Sequence, residues 1–200
     1  MTVEYRIYDM LRLKDSDFYY DYVEFEIINH KRRRTLKYAM FLDELTTIAE
    51  RGDACDLYCG CDECSQLRGL EKYYIESMSK DFPNWPVTLT DVVSPRIFKF
   101  TQTNQTVLAP VHRELSFKRP TGYISRDELV SIFSALVEII GIHYNIRKSK
   151  PYLAQPANEA LDSVYQKVLS NKLSINNPLN VVRLLSSMNP SSKGALYVVQ

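Results

Sequence analysis

Glycine is sparse in this chain, six in 200 residues, and there is a single tryptophan. The glycine-dependent signatures of phosphate and nucleophile chemistry are missing: no G-x-G-x-x-G, no P-loop and no G-x-S-x-G, nor is there an H-E-x-x-H. Their absence leaves dinucleotide-binding, P-loop, hydrolase and zincin activities without support from any motif. An excess of charge is missing too. Lys and Arg total 25 against 24 Asp and Glu, a formal net charge of +1. Nucleic-acid binders draw much of their affinity from phosphate neutralisation and are usually more basic. Long apolar runs are also absent. The opening MTVEYRIYDM has no apolar core of a secretory signal. The most apolar stretch, Leu129–Ile142, is fourteen residues long and contains Glu138, short of the roughly 20 that span a bilayer. These absences point to an intracellular protein, cytoplasmic or carried inside a particle, neither secreted nor partnered with a membrane.

Cysteine is scarce and unevenly spread. All four residues, Cys55, Cys59, Cys61 and Cys64, fall within CDLYCGCDEC. In a reducing compartment, clustered thiols bind metal or do redox work more often than they form structural disulfides. Cys61 and Cys64 have the two-residue spacing of half a zinc site. Gly60 would help the backbone wrap one ion in all four thiolates. A looser shell would use fewer thiolates and add His112 or His143. The flanking Asp56, Asp62 and Glu63 disfavour a free thiolate, and a bound dication would offset that repulsion. Zn2+ is therefore the expected cofactor, with redox pairing and inert thiols as the alternatives.

What the chain does contain reads as one α+β unit over residues 1–200, a strand-rich N-terminal half packed with a helical C-terminal half, with a soft boundary near 147–157. DYVEFEII alternates apolar and acidic residues, and TLKYAMFL resumes the extended pattern, so a β-hairpin is expected near 22–42. A second strand pair is expected near 92–118, with Pro110 at an edge or bulge. LDELTTIAERG and Gln66–Lys80 have helical spacing, and FPNWP reads as a turn. SRDELVSIFSALVEIIGIHYNI is the strongest helix signal, near 125–146, with Ser125 and Glu128 forming a capping box. Its polar residues, Ser131, Ser134, Glu138 and Asn145, trace one narrow stripe. Further helices are expected near 158–172 and, with Asn177 as cap and Pro178 in the first turn, near 178–188. The final GALYVVQ can add a strand at an edge.

Two other segments suggest contacts. Lys31, Arg32, Arg33, Arg34 and Lys37 concentrate positive charge on the hairpin turn, suited to a nucleic acid or an acidic partner. FYYDY offers Tyr19, Tyr20 and Tyr22, a residue type enriched at protein interfaces. Asp15, Asp17 and Asp21 read as a solvated turn, and His143, late on an apolar helix, as a core histidine. The expected function is a non-enzymatic, metal-stabilised protein-interaction or assembly component with a protein partner. The alternatives are a zinc-loop protein that contacts nucleic acid through 30–37, and a metal- or thiol-dependent enzyme.

Overall fold

The computed structural model describes residues 3–15, 18–44, 75–76, 78–82, 84–103, 122–156, 159–170, 179–185 and 195–200. Among the described residues eight strands form one sheet: β1 (Val3–Ile7), β2 (Leu11–Asp15), β3 (Phe18–Asn29), β4 (Arg34–Glu44), β5 (Arg96–Thr103), β6 (Tyr152–Ala154), β7 (Val181–Leu185) and β8 (Ala195–Val199). Their order is β1-β3-β4-β5-β6-β8-β7, with β2 also paired to β3. All pairings are antiparallel except β5 with β6. Two long helices follow the main hairpin in sequence, α1 (Arg126–Arg147) and α2 (Glu159–Leu169). The architecture is α+β, with three strands, β6, β7 and β8, in the half expected to be helical.

The β3–β4 hairpin forms where alternation placed it, in register from Tyr20↔Asp43 to Asn29↔Arg34. Side chains on a strand point to opposite faces at successive residues, so each strand carries two stripes. On β3 the stripe Val23, Phe25, Ile27 is buried against α1, as are Leu36, Tyr38, Met40 and Leu42 of β4. Ile132, Phe133, Leu136, Ile139 and Ile140 of α1 complete this core. Each such side chain contributes about 1.5–3 kcal/mol when taken out of water. The opposite face carries two smaller clusters. One joins Tyr20, Tyr22, Ala39 and Phe41. The other packs Leu153, Leu184, Leu196 and Val198 with Ile75 and Val92.

Helix α1 begins at the expected capping box. Ser125 accepts from the Glu128 backbone, and Glu128 accepts from the Ser125 backbone at 2.8 Å. The same Glu128 carboxylate reaches across to the hairpin. Arg34 donates to both of its oxygens, at 2.8 and 2.6 Å, and Asn29 donates to one at 2.8 Å. Asn29 and Arg34 are register partners at the end of the hairpin, so one carboxylate joins two strands to the start of the helix. The Arg34 guanidinium, with the Ser125 and Asn29 donors, holds the Glu128 carboxyl well below its usual range despite burial.

Two expectations are corrected here. NVVRLL was expected in a helix near 178–188, but Val181–Leu185 is strand β7, paired with β8 from Val181↔Val199 to Leu185↔Ala195. Two consecutive β-branched valines suit a pleated surface. The helix-cap signal at Asn177 and Pro178 lies outside the described residues. The tail strand β8 is not at an edge: it lies between β6 and β7 and is buried along its whole length. The second member of the strand pair near 92–118 falls outside the described residues, as does most of Gln66–Lys80, although 75–76 and 78–81 are helical. Helix α1 is by length and composition apolar enough to cross a bilayer, more than the fourteen-residue stretch implied. In this fold its buried side lies on the sheet.

Replacing Glu128 by Ala leaves the partly buried Arg34 without its carboxylate and removes half of the capping box. We expect a loss of about 3 kcal/mol in urea unfolding. A loss below about 1 kcal/mol would mean that apolar packing alone fixes the helix.

Candidate functional site

The inward stripes that carry the core each end in a charged residue. On β3 the stripe continues past Val23 to Asp21, and on β4 past Leu42 to Glu44. On β5 it starts at Arg96, the register partner of Glu44. Arg12 on β2 is the register partner of Asp21. These strand ends meet the last turns of α1, which supply His143 and Arg147. Asp21, Glu44, Arg96 and His143 are all buried, as are Ser149 and Tyr152 just beyond the helix.

Asp21 is the hub. It accepts from Arg147 at 2.9 Å and contacts His143 Nε2 at 3.0 Å; Arg12 and Arg96 lie at 3.7 and 3.9 Å. Glu44 sits between Arg12 at 2.7 Å and Arg96 at 3.0 Å. Arg96 also donates to Ser149 at 3.3 Å. On the other side of the imidazole, Nδ1 is 2.7 Å from the Tyr152 hydroxyl. Burial by itself would raise the Asp21 carboxyl, but the bonds from His143 and Arg147 and the charge of Arg96 outweigh it and hold it far below its usual range. His143 is pushed down by burial and by Arg96 and Arg147, against the opposing pull of Asp21. Burial drives the Tyr152 hydroxyl up. An ionised Asp21 and a neutral His143 allow one proton arrangement across both contacts: Nε2–H donates to Asp21, and the Tyr152 O–H donates to Nδ1.

Carboxylate, imidazole and hydroxyl in a row are the parts of a general-base relay. Here Asp21 and His143 are 0% exposed and Tyr152 2%, so a substrate has no approach to the imidazole in this state. The upward shift of the Tyr152 hydroxyl also works against its use as a nucleophile. The arrangement does suit another task. Three arginines and two carboxylates, all cross-linked, tie β2, β3, β4, β5 and the end of α1 to one another.

The structure separates the residues singled out from sequence. Cys55, Cys59, Cys61, Cys64 and His112 lie outside the described residues, and among the described residues no group of three or more His, Cys, Asp and Glu is placed to hold a metal. His143 has both ring nitrogens engaged, by Asp21 and Tyr152, so it has no lone pair to offer the cysteine segment. It is the satisfied core histidine expected from its place on the helix. Tyr20 and Tyr22 lie on the face of β3 away from α1: their rings pack on Phe41, with centroids 5.9 and 5.2 Å away, and both are buried. The Tyr19 side chain is outside the described residues. Of the basic hairpin, Arg34 is taken by Glu128 and Lys37 faces Glu26 at 3.3 Å, whereas Lys31, Arg32 and Arg33 are exposed at the tip.

Asp21 is the clearest correction. It was read with Asp15 and Asp17 as part of a solvated turn, yet it is a fully buried residue of β3. The missing signal was parity: Asp21 shares the odd-numbered stripe of Val23, Phe25 and Ile27, so it faces the helix as they do. Glu44, read as part of a helix, ends β4 on the stripe of Leu36 and Met40 for the same reason. Compared with known proteins, the chain matches no family model, no curated protein and no solved structure.

The lowered folded pKa values fix the sign of the pH response. An unfolded histidine takes up its proton near pH 6.5. Because folded His143 resists protonation, its contribution is complete above that pH and is lost as pH falls below it. Asp21 adds a second loss as pH falls below its ordinary value of 3.8. Unfolding free energy should therefore decline from pH 7 to pH 5, by up to about 1.4 kcal/mol per pH unit, and His143→Gln should flatten that segment. An unchanged slope in the variant would exclude His143 as its source.

Proposed function

We propose that this protein is a non-enzymatic interaction component that docks a partner protein in the groove between the β1–β2 connection and the outer stripe of α1. The observation that carries this reading is a change of character along that stripe. Glu138 is exposed, and one and two turns later the same stripe presents Ile142 and Ile146, the latter 57% exposed. Across the groove stand Tyr5, Ile7, Tyr8 and Met10, with Leu11, 51% exposed, directly following. Large apolar side chains left in water beside one another mark interaction sites more often than they occur by chance.

The groove also carries Asp9 and Glu138, the latter accepting from the Tyr5 hydroxyl at 2.7 Å. Apolar walls with acidic groups favour a partner segment that inserts aliphatic or aromatic side chains and sets Lys or Arg beside them. The burial of the Asp21–His143–Tyr152 chain supports a binding role over a catalytic one. The cysteine segment supports a zinc-stabilised fold from its spacing and its acidic flanks.

Selection of a random peptide library on the immobilised chain tests the groove. Enriched peptides should combine apolar residues with Lys or Arg, and should lose at least tenfold in affinity for an Ile142→Asp/Ile146→Asp variant. Peptides that bind variant and wild type equally would overturn the reading. So would sedimentation showing that the groove is covered by a second copy of the chain.

The zinc reading has its own measurement. Protein purified without chelator should contain about one zinc per chain by elemental analysis. Cys61→Ser/Cys64→Ser should lose that metal and melt at a lower temperature. A metal-free wild type would remove zinc from the account.

A further inference from the structure

The tip of the β3–β4 hairpin is a built platform. The backbone N–H of Arg33 donates to the His30 carbonyl at 3.3 Å, closing the turn, and Arg33 sits in the left-handed region at φ 50°. The backbone N–H of Arg32 donates to Asn29 Oδ1 at 2.9 Å. Arg34, held by Glu128, also donates to the Tyr123 carbonyl at 2.7 Å, so the segment entering α1 is fastened beside the tip. That segment presents Tyr123, which is 71% exposed. The Arg32 guanidinium lies over one face of its ring, 5.1 Å from the centroid, which leaves the other face for stacking.

Three acids beside this tip have partners other than Lys31, Arg32 and Arg33. Glu4 faces His30 at 3.1 Å, Glu26 faces Lys37 and Glu128 holds Arg34. Lys31, Arg32 and Arg33 thus present their charge outward, next to an aromatic ring that is mostly open to solvent. Cations that follow a phosphate backbone, beside an aromatic face on which a base can stack, are the two components of single-strand recognition. A turn already fixed by hydrogen bonds loses little freedom when it binds.

We infer that the hairpin tip, with Lys31, Arg32 and Arg33 on phosphates and Tyr123 under a base, is a contact site for single-stranded nucleic acid. This site is separate from the groove at the far end of α1 and does not depend on it. Three exposed cations engage only a few phosphates, so the contact is short and salt-sensitive.

Fluorescence anisotropy with labelled oligo-uridylate, oligo-thymidylate, a duplex of equal length and polyglutamate tests the site. Both single strands should bind more tightly than the duplex, and polyglutamate should not bind. With about three phosphates engaged, log affinity should fall against log salt with a slope of about −2. Lys31→Ala/Arg32→Ala/Arg33→Ala should abolish binding. Tyr123→Ala, which removes no charge, should weaken single-strand binding about tenfold or more. Both variants alter exposed side chains, and unchanged melting temperatures would confirm that they fold. Binding indifferent to Tyr123→Ala, equal binding of polyglutamate, or no binding of either single strand would each overturn the inference; the second would reassign the tip to an acidic protein.

Discussion

Helix α1 and strand β3 run past each other with an apolar stretch between two polar fastenings. At the start of the helix, Glu128 meets Asn29 and Arg34; near its end, His143 and Arg147 meet Asp21. The spacings match. Fifteen residues of helix from Glu128 to His143 cover about 22 Å. Eight residues of strand from Asp21 to Asn29 cover about 26 Å. A slip of one helical turn, about 5.4 Å, would break both fastenings together and leave several charges buried without a counterpart. Apolar side chains tolerate such a slip more readily, because burial has no direction. Buried ion pairs add little net stability over well-packed apolar side chains, because desolvation offsets most of their attraction. Their effect here is to select one register of helix on sheet.

The second helix uses the same device on a smaller scale. Asp162 on α2 accepts from Arg183 of β7 at 3.0 and 2.8 Å and from the Tyr197 hydroxyl of β8 at 2.6 Å. Arg183 and the Tyr197 and Gln166 donors hold the Asp162 carboxyl below its usual range, against the effect of burial. Both helices are thus attached by polar side chains that reach the sheet, and Asp162 does so at the middle residues of β7 and β8. In α1 the two faces differ. The buried stripe spends its polar groups on the sheet, while the outer stripe is released to present Ile142 and Ile146.

Much of this arrangement was legible in the chain. The period-two alternation of Val23, Phe25 and Ile27 and the Ser125–Glu128 box are local signals, and they placed the hairpin and the start of α1. What escaped was set by distant partners. Whether Asp21 is solvated depends on Arg96, His143 and Arg147, which follow it by 75 or more residues in the sequence. Val181–Leu185 became a strand because β8 offered it a ladder, a choice that helix-start signals before it do not encode. The tyrosines of FYYDY show the same limit: residue type suggested an interface, and their place on the strand put Tyr20 and Tyr22 against Phe41 instead. The grouping of Tyr8, Met10, Ile142 and Ile146 also needed the fold, since more than 130 residues separate its two walls.

The position of β8 has a consequence for how the protein is made. This strand is the last described element in the chain, yet it lies inside the sheet, between β6 and β7, both of which are synthesised before it. Neither neighbour can complete its ladder until residues 195–199 have emerged. On the ribosome, the β1–β5 side can assemble from contacts between segments already translated, whereas the β6–β8–β7 side must wait for a late insertion. The β7–β8 hairpin is local, but the β6–β8 pairs are far apart in sequence, and contacts of that kind form slowly. During that interval Val181–Leu185 and Tyr152–Ala154 carry unpaired backbone edges, and that is when a chaperone would find most to hold.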